Sequence, residues 1–331
     1  MAHHLVIKAC LIAGFLLLTG CTATPQSEQL RAQQPAGLPN IKKIADVPFY
    51  AQQQYYCGPT TLSEVFTYYG EPVNANDIAP KIFIPEREGS LQLEMVSATR
   101  QYGFLPYAER GTMTQLFRLV NDDIPVIVFQ NLSIQLLPQW HYAVVIGYDL
   151  DAGTVTLHTG VTPDHTMQFE LFEKTWARGN YWYMAPLPTG KTSEALDAFT
   201  YTSAAYDMLK VGETESAIAN LEAATTEWPD QWLAFFLLAN HYLEDKPKKA
   251  IAWFDKGYHV GQYQAAFMNN FAHVLVNQGC DKQASKVLEL ALSRFPQEPA
   301  LHNTQQAIAE RTGAPKKHCE IQPVESASAP L

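Results

Sequence analysis

The sequence predicts two folded domains, an α+β domain followed by an all-α repeat domain. In the first half, segments with helical spacing of apolar residues come first and short buried strands follow, which is the order of an α+β fold. After residue 190 no strand-like run occurs, and small and large residues recur about every thirty-four residues, which indicates stacked helix pairs. With 331 residues and 47% hydrophobic content, the chain is long and apolar enough for both domains.

The first twenty residues predict a signal peptide. Lys8 supplies the positive charge, and the apolar core from Leu11 to Leu18 is too short to span a membrane. Residues 18–21, Leu-Thr-Gly-Cys, resemble a bacterial lipobox, which implies cleavage before Cys21 and lipidation of its thiol. The alternative is an ordinary signal peptide, or an uncleaved anchor, in which Cys21 is incidental.

The segment 21–45 is predicted to be a lipidated cysteine followed by a polar tether. Residues 22–40 are rich in Gln, Ser and Pro, and we expect them to hold the next domain off the membrane. By resemblance to enterobacterial lipoproteins, Thr22 after the lipidated cysteine implies sorting to the outer membrane. The expected location is therefore the bacterial cell envelope, with the protein facing the periplasm.

The first domain is predicted to span residues 46–188. An extended lead-in, kept out of helix by Pro48, precedes a helix that starts at Cys57 and ends near Gly70. The other predicted elements are a turn of helix over 74–81 interrupted by Pro80, a helix from a Ser90 cap to Gly103, a strand at 104–107, a helix at 112–121, strands at 126–129, 141–148, 155–159 and 167–170, a helical turn at 172–176 and a strand at 181–185.

Cys57 is the candidate nucleophile. It lies where irregular chain becomes helix, and a thiol at a helix N-terminus is favoured as thiolate by the helix dipole. Gly58 removes bulk beside the sulfur, so that a substrate carbonyl can approach. The amide of Gln52, five residues upstream, can donate to an oxyanion beside the Cys57 backbone N–H. The alternative is an inert buried cysteine.

His141 is the candidate general base. It opens a strand whose centre is apolar, and Trp140 before it is a large aromatic residue that can shield the ring from water. The alternative is a hydrogen-bonded core histidine.

Two motifs carry a resemblance to a known family. The pattern Gln52, four residues, Cys57-Gly58-Pro59, with the later strand His-Tyr-Ala-Val-Val-Ile-Gly-Tyr-Asp from His141, resembles the double-glycine peptidases that process bacteriocin leaders. The likeness covers roughly residues 46–188 and is closer to free-standing relatives than to transporter-fused ones. It implies a papain-like cysteine peptidase fold, with His141 following Cys57 as this clan requires, and cleavage after small residues such as Gly-Gly.

The third member of the site departs from that family. Its enzymes usually carry Asp or Asn at the end of the next strand, where this chain has Thr159 beside His158. A threonine hydroxyl accepts from an imidazole N–H, but it does not stabilise imidazolium as a carboxylate does. Asp149 and Asp164 are near in sequence and could orient the ring instead. The site could also be a Cys-His dyad, or it could have lost activity.

Residues 193–313 resemble about three tetratricopeptide-type helix pairs. Such stacks bind peptides or proteins on a concave face, which implies a protein partner or recruited substrate. The alternative is an unrelated helical bundle, and residues 314–331 predict a loose tail. The recurring positions are Ala217, Leu221 and Ala224, then Ala250, Phe254 and Gly257, then Ala284, Leu288 and Ala291.

Cys280 and Cys319 remain after the other cysteines are assigned. In an oxidising periplasm we expect them to pair, which would pin the tail to a helix end. A metal pair of His318 and Cys319 lacks enough ligands, and we expect no cofactor. The net charge of −10, without a basic cluster, indicates no nucleic-acid partner.

The leading hypothesis is a membrane-anchored thiol peptidase whose repeats recruit a protein partner or a peptide or protein substrate. One alternative is a relict, peptide-binding scaffold lipoprotein, motivated by Thr159. Another keeps the thiol and makes the protein a papain-like acyltransferase.

Overall fold

The computed structural model describes residues 23–83 and 89–310. These residues form two compact units, one of residues 23–83, 89–99 and 108–186 and one of residues 100–107 and 187–310. The predicted signal peptide, Cys21, Cys319 and the tail 314–331 lie outside the described residues. Within the described ranges, no helix combines the length and the apolarity needed to cross a bilayer.

The elements up to residue 187 alternate between helices and short strands. In chain order they are α1 (Pro25–Ala32), β1 (Ile41–Lys43), α2 (Cys57–Tyr68), α3 (Ala75–Ile82), α4 (Gln92–Gln101), β2 (Leu105–Arg110), α5 (Met113–Asn121), β3 (Val126–Asn131), β4 (Trp140–Asp149), β5 (Thr154–Thr159), β6 (Thr162–Gln168), α6 (Phe169–Arg178) and β7 (Trp182–Leu187).

The strands form one sheet in the order β2-β7-β3-β4-β5-β6, with β1 paired to the far end of β4. Strand β4 is central, because β3 pairs antiparallel with its first half and β5 with its second half. Its middle residues, Ala143 to Ile146, are buried, as a strand covered on both faces requires. The predicted α+β fold class is confirmed.

Several boundaries differ from the sequence prediction. The strand predicted at 167–170 begins earlier, at Thr162, because Gly160 has a positive φ of 56° and returns the chain in a tight hairpin. The helical turn predicted at 172–176 is the full helix α6, which starts at Phe169. Ser90 does not cap α4, which begins at Gln92, because Ser90 is held in a β-bridge with Phe83. Pro80 lies inside α3 and does not interrupt it.

The predicted tether is folded over its described part. Helix α1 packs against α6, with Ser27 fully buried. The Glu173 carboxylate accepts hydrogen bonds from Gln26 N at 3.0 Å, Ser27 N at 2.7 Å and Ser27 Oγ at 2.6 Å. It therefore satisfies the N–H groups that a helix N-terminus leaves without partners, and it complements the helix dipole. The first unit thus begins well before residue 46.

The chain after residue 187 is entirely helical in its described part, as predicted. The helices are α7 (Ala198–Lys210), α8 (Thr214–Glu227), α9 (Trp232–His241), α10 (Pro247–Lys256), α11 (Tyr258–Gly261), α12 (Ala265–Asn277), α13 (Asp281–Arg294) and α14 (Pro299–Glu310). Helices α7, α9, α12 and α14 start at residues 198, 232, 265 and 299, which are 34, 33 and 34 residues apart. This spacing fits the predicted period, and the tetratricopeptide type stays a prediction.

The small residues of the repeat region allow close packing of its helices. A Cβ placed on Gly257 would lie 2.4 Å from the Cβ of Phe235, and Ala250 and Ala284 are fully buried. Cys280, just before α13, is buried and disulfide-bonded. Its predicted partner Cys319 lies outside the described residues, so that pairing stays a prediction.

Candidate active site

A cavity of about 1000 Å³ lies where α2 begins, within the first unit. The three residues predicted to carry the chemistry, Gln52, Cys57 and His141, all line it. They come from the loop before α2, the first position of α2 and the second position of β4. The start of helix α2 and the N-terminal end of the central strand β4 therefore line one groove. The other lining residues that bear on the site are Ser90, Leu91, Phe129, Gln139, Trp140, Tyr142 and Gly160.

Cys57 is the first residue of α2, as predicted, and it is a free thiol. Burial raises the pKa of the Cys57 thiol, outweighing the backbone N–H groups of Tyr142, Gly58 and Cys57 that lower it. The predicted resting thiolate is therefore wrong, because loss of solvent has a larger effect than the donors at the helix N-terminus. The sulfur is protonated in the free protein near neutral pH.

Gly58 has a packing role that the sequence did not predict. A Cβ on Gly58 would lie 2.9 Å from Ser90 Oγ and 3.0 Å from Met95 Sδ. The missing side chain thus allows the start of α2 to pack against α4 and the residues before it. The approach of a substrate carbonyl beside Gly58 stays a prediction.

His141 is held by Thr159. The Nε2 atom of His141 lies 2.8 Å from Thr159 Oγ1, across the β4–β5 hairpin. Burial lowers the pKa of His141 to about 4, so the ring is neutral at physiological pH. When Nε2 carries the proton and donates to Thr159, the other ring nitrogen, Nδ1, is an acceptor.

The other candidate orienting residues lie elsewhere. His158 bonds through Nε2 to Val47 O at 3.1 Å, and its Nδ1 accepts from Asp164 N at 3.3 Å. Asp149 is at the opposite end of β4, where its carboxylate accepts from Ala152 N at 2.7 Å.

Trp140 does not cover the imidazole ring of His141 as expected. Its indole stacks on the ring of Phe129, with ring centroids 4.9 Å apart, and both side chains line the groove. The Trp140 side chain remains about half exposed.

Gln52 presents an unpaired amide to the cavity. Its backbone N donates to Gly160 O at 2.9 Å, which fixes the loop beside the end of the β5–β6 hairpin. Both polar atoms of its side chain are buried, and neither has a hydrogen-bond partner in the described part of the chain. A buried amide without a partner costs about 1–3 kcal/mol, so the amide of Gln52 is available to bind a group that enters the cavity.

Sequence reasoning missed Glu64, which lies two turns after Cys57. It is fully buried, and its Oε1 accepts from Tyr50 N at 2.9 Å, two residues before Gln52. Burial raises the pKa of Glu64 to about 8, so the carboxyl is mostly protonated at neutral pH. Glu64 thus ties the loop that carries Gln52 to the helix that carries Cys57. A charged residue beside the apolar positions 62, 65 and 66 was the only sequence signal.

An α+β unit with a thiol, an imidazole and an amide around one groove has the composition of a thiol hydrolase site. Residues 44–183, a little under half of the chain, match the family model described as Peptidase_C39 like family. This part of the chain is therefore similar to that family. No curated protein matches the chain.

Solved structures of similar proteins align with a little under half of the chain. A C39-like peptidase candidate from Bacillus anthracis is 16% identical, with 47% of this chain and 100% of that chain covered and a TM-score of 0.39. The peptidase domain of Streptococcus ComA, a bi-functional ABC transporter, is 22% identical, with coverages of 43% and 98% and a TM-score of 0.35. A double glycine motif protease from an AMS/PCAT transporter, solved with its leader peptide, is 20% identical, with coverages of 44% and 94% and a TM-score of 0.33. Likenesses at this level carry no functional argument.

Proposed function

We propose that the protein is a membrane-anchored cysteine peptidase that cleaves peptide bonds through Cys57 and His141. The observation that carries the proposal is the single groove lined by Cys57, His141 and the unpaired amide of Gln52. The match of residues 44–183 to a peptidase family supports it independently. A thiol, a base and an oxyanion donor are the three groups that acyl transfer from an amide requires.

In the proposed reaction the Cys57 thiol and the His141 imidazole are both neutral before the substrate binds. The Cys57 sulfur attacks the substrate carbonyl carbon while its proton passes to Nδ1 of His141, so that thiolate forms only as the new C–S bond does. The amide of Gln52 and the backbone N–H of Cys57 bind the oxyanion. The imidazolium then protonates the leaving amine, the C–N bond breaks, and water hydrolyses the thioester with His141 again as the base.

Thr159 serves as the orienting residue in this scheme. Its hydroxyl, 2.8 Å from Nε2, holds the ring plane, and in this scheme it accepts from Nε2–H, which leaves Nδ1 free as the base. It supplies no negative charge to the imidazolium, so we expect slower turnover than in a triad with a carboxylate.

The finer parts of the proposal come from the sequence. Lipidation of Cys21 would anchor the protein in the cell envelope, facing the periplasm, at the outer membrane. The resemblance to double-glycine peptidases suggests cleavage after small residues such as Gly-Gly. The helix pairs after residue 198, if they are of the tetratricopeptide type, would recruit a peptide or protein substrate or a protein partner.

The test is hydrolysis of a fluorogenic peptide with a Gly-Gly site by the purified full chain. We expect cleavage by the parent protein and none by Cys57→Ala or His141→Ala, each checked for an unchanged melting temperature. Cleavage by Cys57→Ala at the parent rate would refute the proposal.

A relict peptide-binding module is the second candidate, and the neutral resting pair together with Thr159 favours it. That protein would bind the peptide with measurable affinity and leave it intact. An acyltransferase would instead join the acyl group to an added amine nucleophile, and product masses separate this outcome from hydrolysis.

A further inference from the structure

The loop between β3 and β4, residues 132–139, displays apolar side chains to solvent. It contains no charged residue. The exposed fractions are 57% for Ile134, 85% for Leu136 and 70% for Leu137. Isolated apolar side chains are common on surfaces, but several on one uncharged loop beside a cleft mark a contact surface.

The loop is braced in this exposed form. Asn131 Oδ1 accepts from Ser133 N at 3.0 Å and from Gln139 N at 2.9 Å, which closes the base of the loop. The Arg178 guanidinium donates to Asn131 O at 3.2 Å and to Ser133 O at 2.8 Å. These bonds brace the base of the loop, and the two leucines at its tip are exposed on this braced segment.

Helix α1 begins towards the end of α6 that holds the loop 132–139. Arg31 pairs with Glu170 and Ser27 bonds to Glu173, so α1 runs antiparallel to α6. The start of α1 therefore lies towards the C-terminal end of α6. Arg178, which holds the loop, is the last residue of that helix.

The proposed lipid would be close to this end. Thr24, immediately before α1, is buried against the unit at 7% exposure. Cys21 precedes it by three residues, and three residues span at most about 10 Å. An acyl chain on Cys21 would thus start within about 10 Å of Thr24, near the same end of the unit as Arg178, without a long tether.

We infer that the loop 132–139 lies in the membrane interface beside the lipid anchor, and that the groove opens at the bilayer surface. The inference rests on the lipidation in the proposed function. We assign a lipid surface to the loop because the loop is apolar and uncharged, and because Arg178, which holds it, ends the helix towards whose C-terminal end α1 begins. Trp140, at the loop's end, suits the headgroup region, where indole rings partition.

The groove position narrows the substrate class. Gln139, the last residue of this loop, and Trp140, which follows it in β4, both line the groove with Cys57. A bilayer in contact with the loop would place the groove within reach of peptide segments that lie at the membrane surface. Peptides tethered to or emerging from the membrane are therefore the favoured substrates.

The test uses the lipidated full chain in vesicles of phosphatidylethanolamine and phosphatidylglycerol. Tryptophan fluorescence is compared between ordinary lipids and lipids with brominated acyl chains, which quench by contact. We expect quenching in the parent protein, its loss in Trp140→Phe, and at least a halving in Leu136→Ser/Leu137→Ser.

A matched control removes two exposed aliphatic side chains elsewhere. Ile41→Ser/Leu171→Ser alters residues that are 63% and 54% exposed. Ile41 pairs with Asp149, eight residues or about 26 Å along β4 from His141. We expect this variant to be quenched like the parent.

Turnover gives a second readout. Removing two leucines from bilayer contact should lower kcat/KM on a vesicle-anchored peptide by about tenfold or more, with a short soluble peptide cleaved as before. Equal quenching in the parent and Trp140→Phe would overturn the inference. The inference would also be overturned if the leucine variant were quenched like the parent and had a raised KM on the soluble peptide. That result would show that the loop contacts the peptide substrate and not the bilayer. Fluorescence quenching does not depend on peptidase activity, and mass spectrometry shows whether Cys21 is lipidated. An inactive or unlipidated protein can therefore be told apart from a loop that does not contact the bilayer.

Discussion

Replacing Thr159 with valine tests how the imidazole is oriented. Valine keeps the β-branched shape at the end of β5 and removes only the hydroxyl, so the strand should be retained. The buried Nε2–H of His141 then loses the partner that lies at 2.8 Å. An unpaired buried donor costs about 1–3 kcal/mol, and each 1.36 kcal/mol corresponds to a factor of ten, so kcat/KM should fall by about 5- to 150-fold.

The assay is kcat/KM on a short soluble peptide, with melting temperature as the check on folding. Thr159→Ser retains the hydroxyl and should lose less than a few-fold. Thr159→Asp adds a carboxylate beside the ring, which favours imidazolium, so the acidic limb of the pH profile should move upward. The reasoning is refuted if valine is as active as threonine, or if serine loses as much as valine.

Three other predictions follow from the buried groups. Gln52→Ala should lower kcat by about 10²–10³-fold with little change in KM, because the amide acts on the oxyanion, and equal kcat values would exclude that role. The acidic limb of kcat/KM should lie near the pKa of His141, about 4, because the base works only when unprotonated, and a limb near 6.5 would show a solvated ring. Glu64 titrates at about 8 when folded and 4.5 when unfolded, so stability falls as pH rises between these values. Glu64→Gln should therefore raise the free energy of unfolding at pH 8 by up to about 5 kcal/mol and leave it nearly unchanged at pH 4, as measured by urea denaturation. A gain of equal size at both pH values would contradict the titration.

Local patterns predicted the elements that bear the candidate site. The helix at Cys57 follows from Pro59 and the apolar spacing after it, and the strand at His141 follows from its apolar run. Both signals depend on residues within one turn or one strand. The Thr159 position came instead from the resemblance to the double-glycine peptidases, which place an orienting residue at the end of the strand after the histidine strand.

Contacts between distant parts of the chain were not predictable. The Glu173 carboxylate that caps α1 is 146 residues from Ser27, and the polar composition of residues 22–40 favoured a tether. The role of Gly58 depends on Ser90 and Met95, which approach it only in the folded unit. The ionisation of Cys57 was misjudged for the same reason, because burial is a property of the whole unit and the helix dipole is local.

The repeat region shows the opposite balance. The repeat period could be predicted from the spacing of small and large residues, because in such stacks each helix pair packs mainly on its neighbours in the chain. The helix starts at residues 232 and 265 follow the predicted spacing to within one residue. What such a stack binds depends on its surface and not on its period, so the partner was not predictable.

The most direct test of the account is capture of the acyl-enzyme. The full chain is mixed with a Gly-Gly peptide and quenched with acid within milliseconds, and the fragment containing Cys57 is weighed by mass spectrometry. We predict an added mass equal to the N-terminal product less one water, absent in Cys57→Ala together with all cleavage. Cleavage that persists in Cys57→Ala, with no adduct on the parent fragment, would contradict the account.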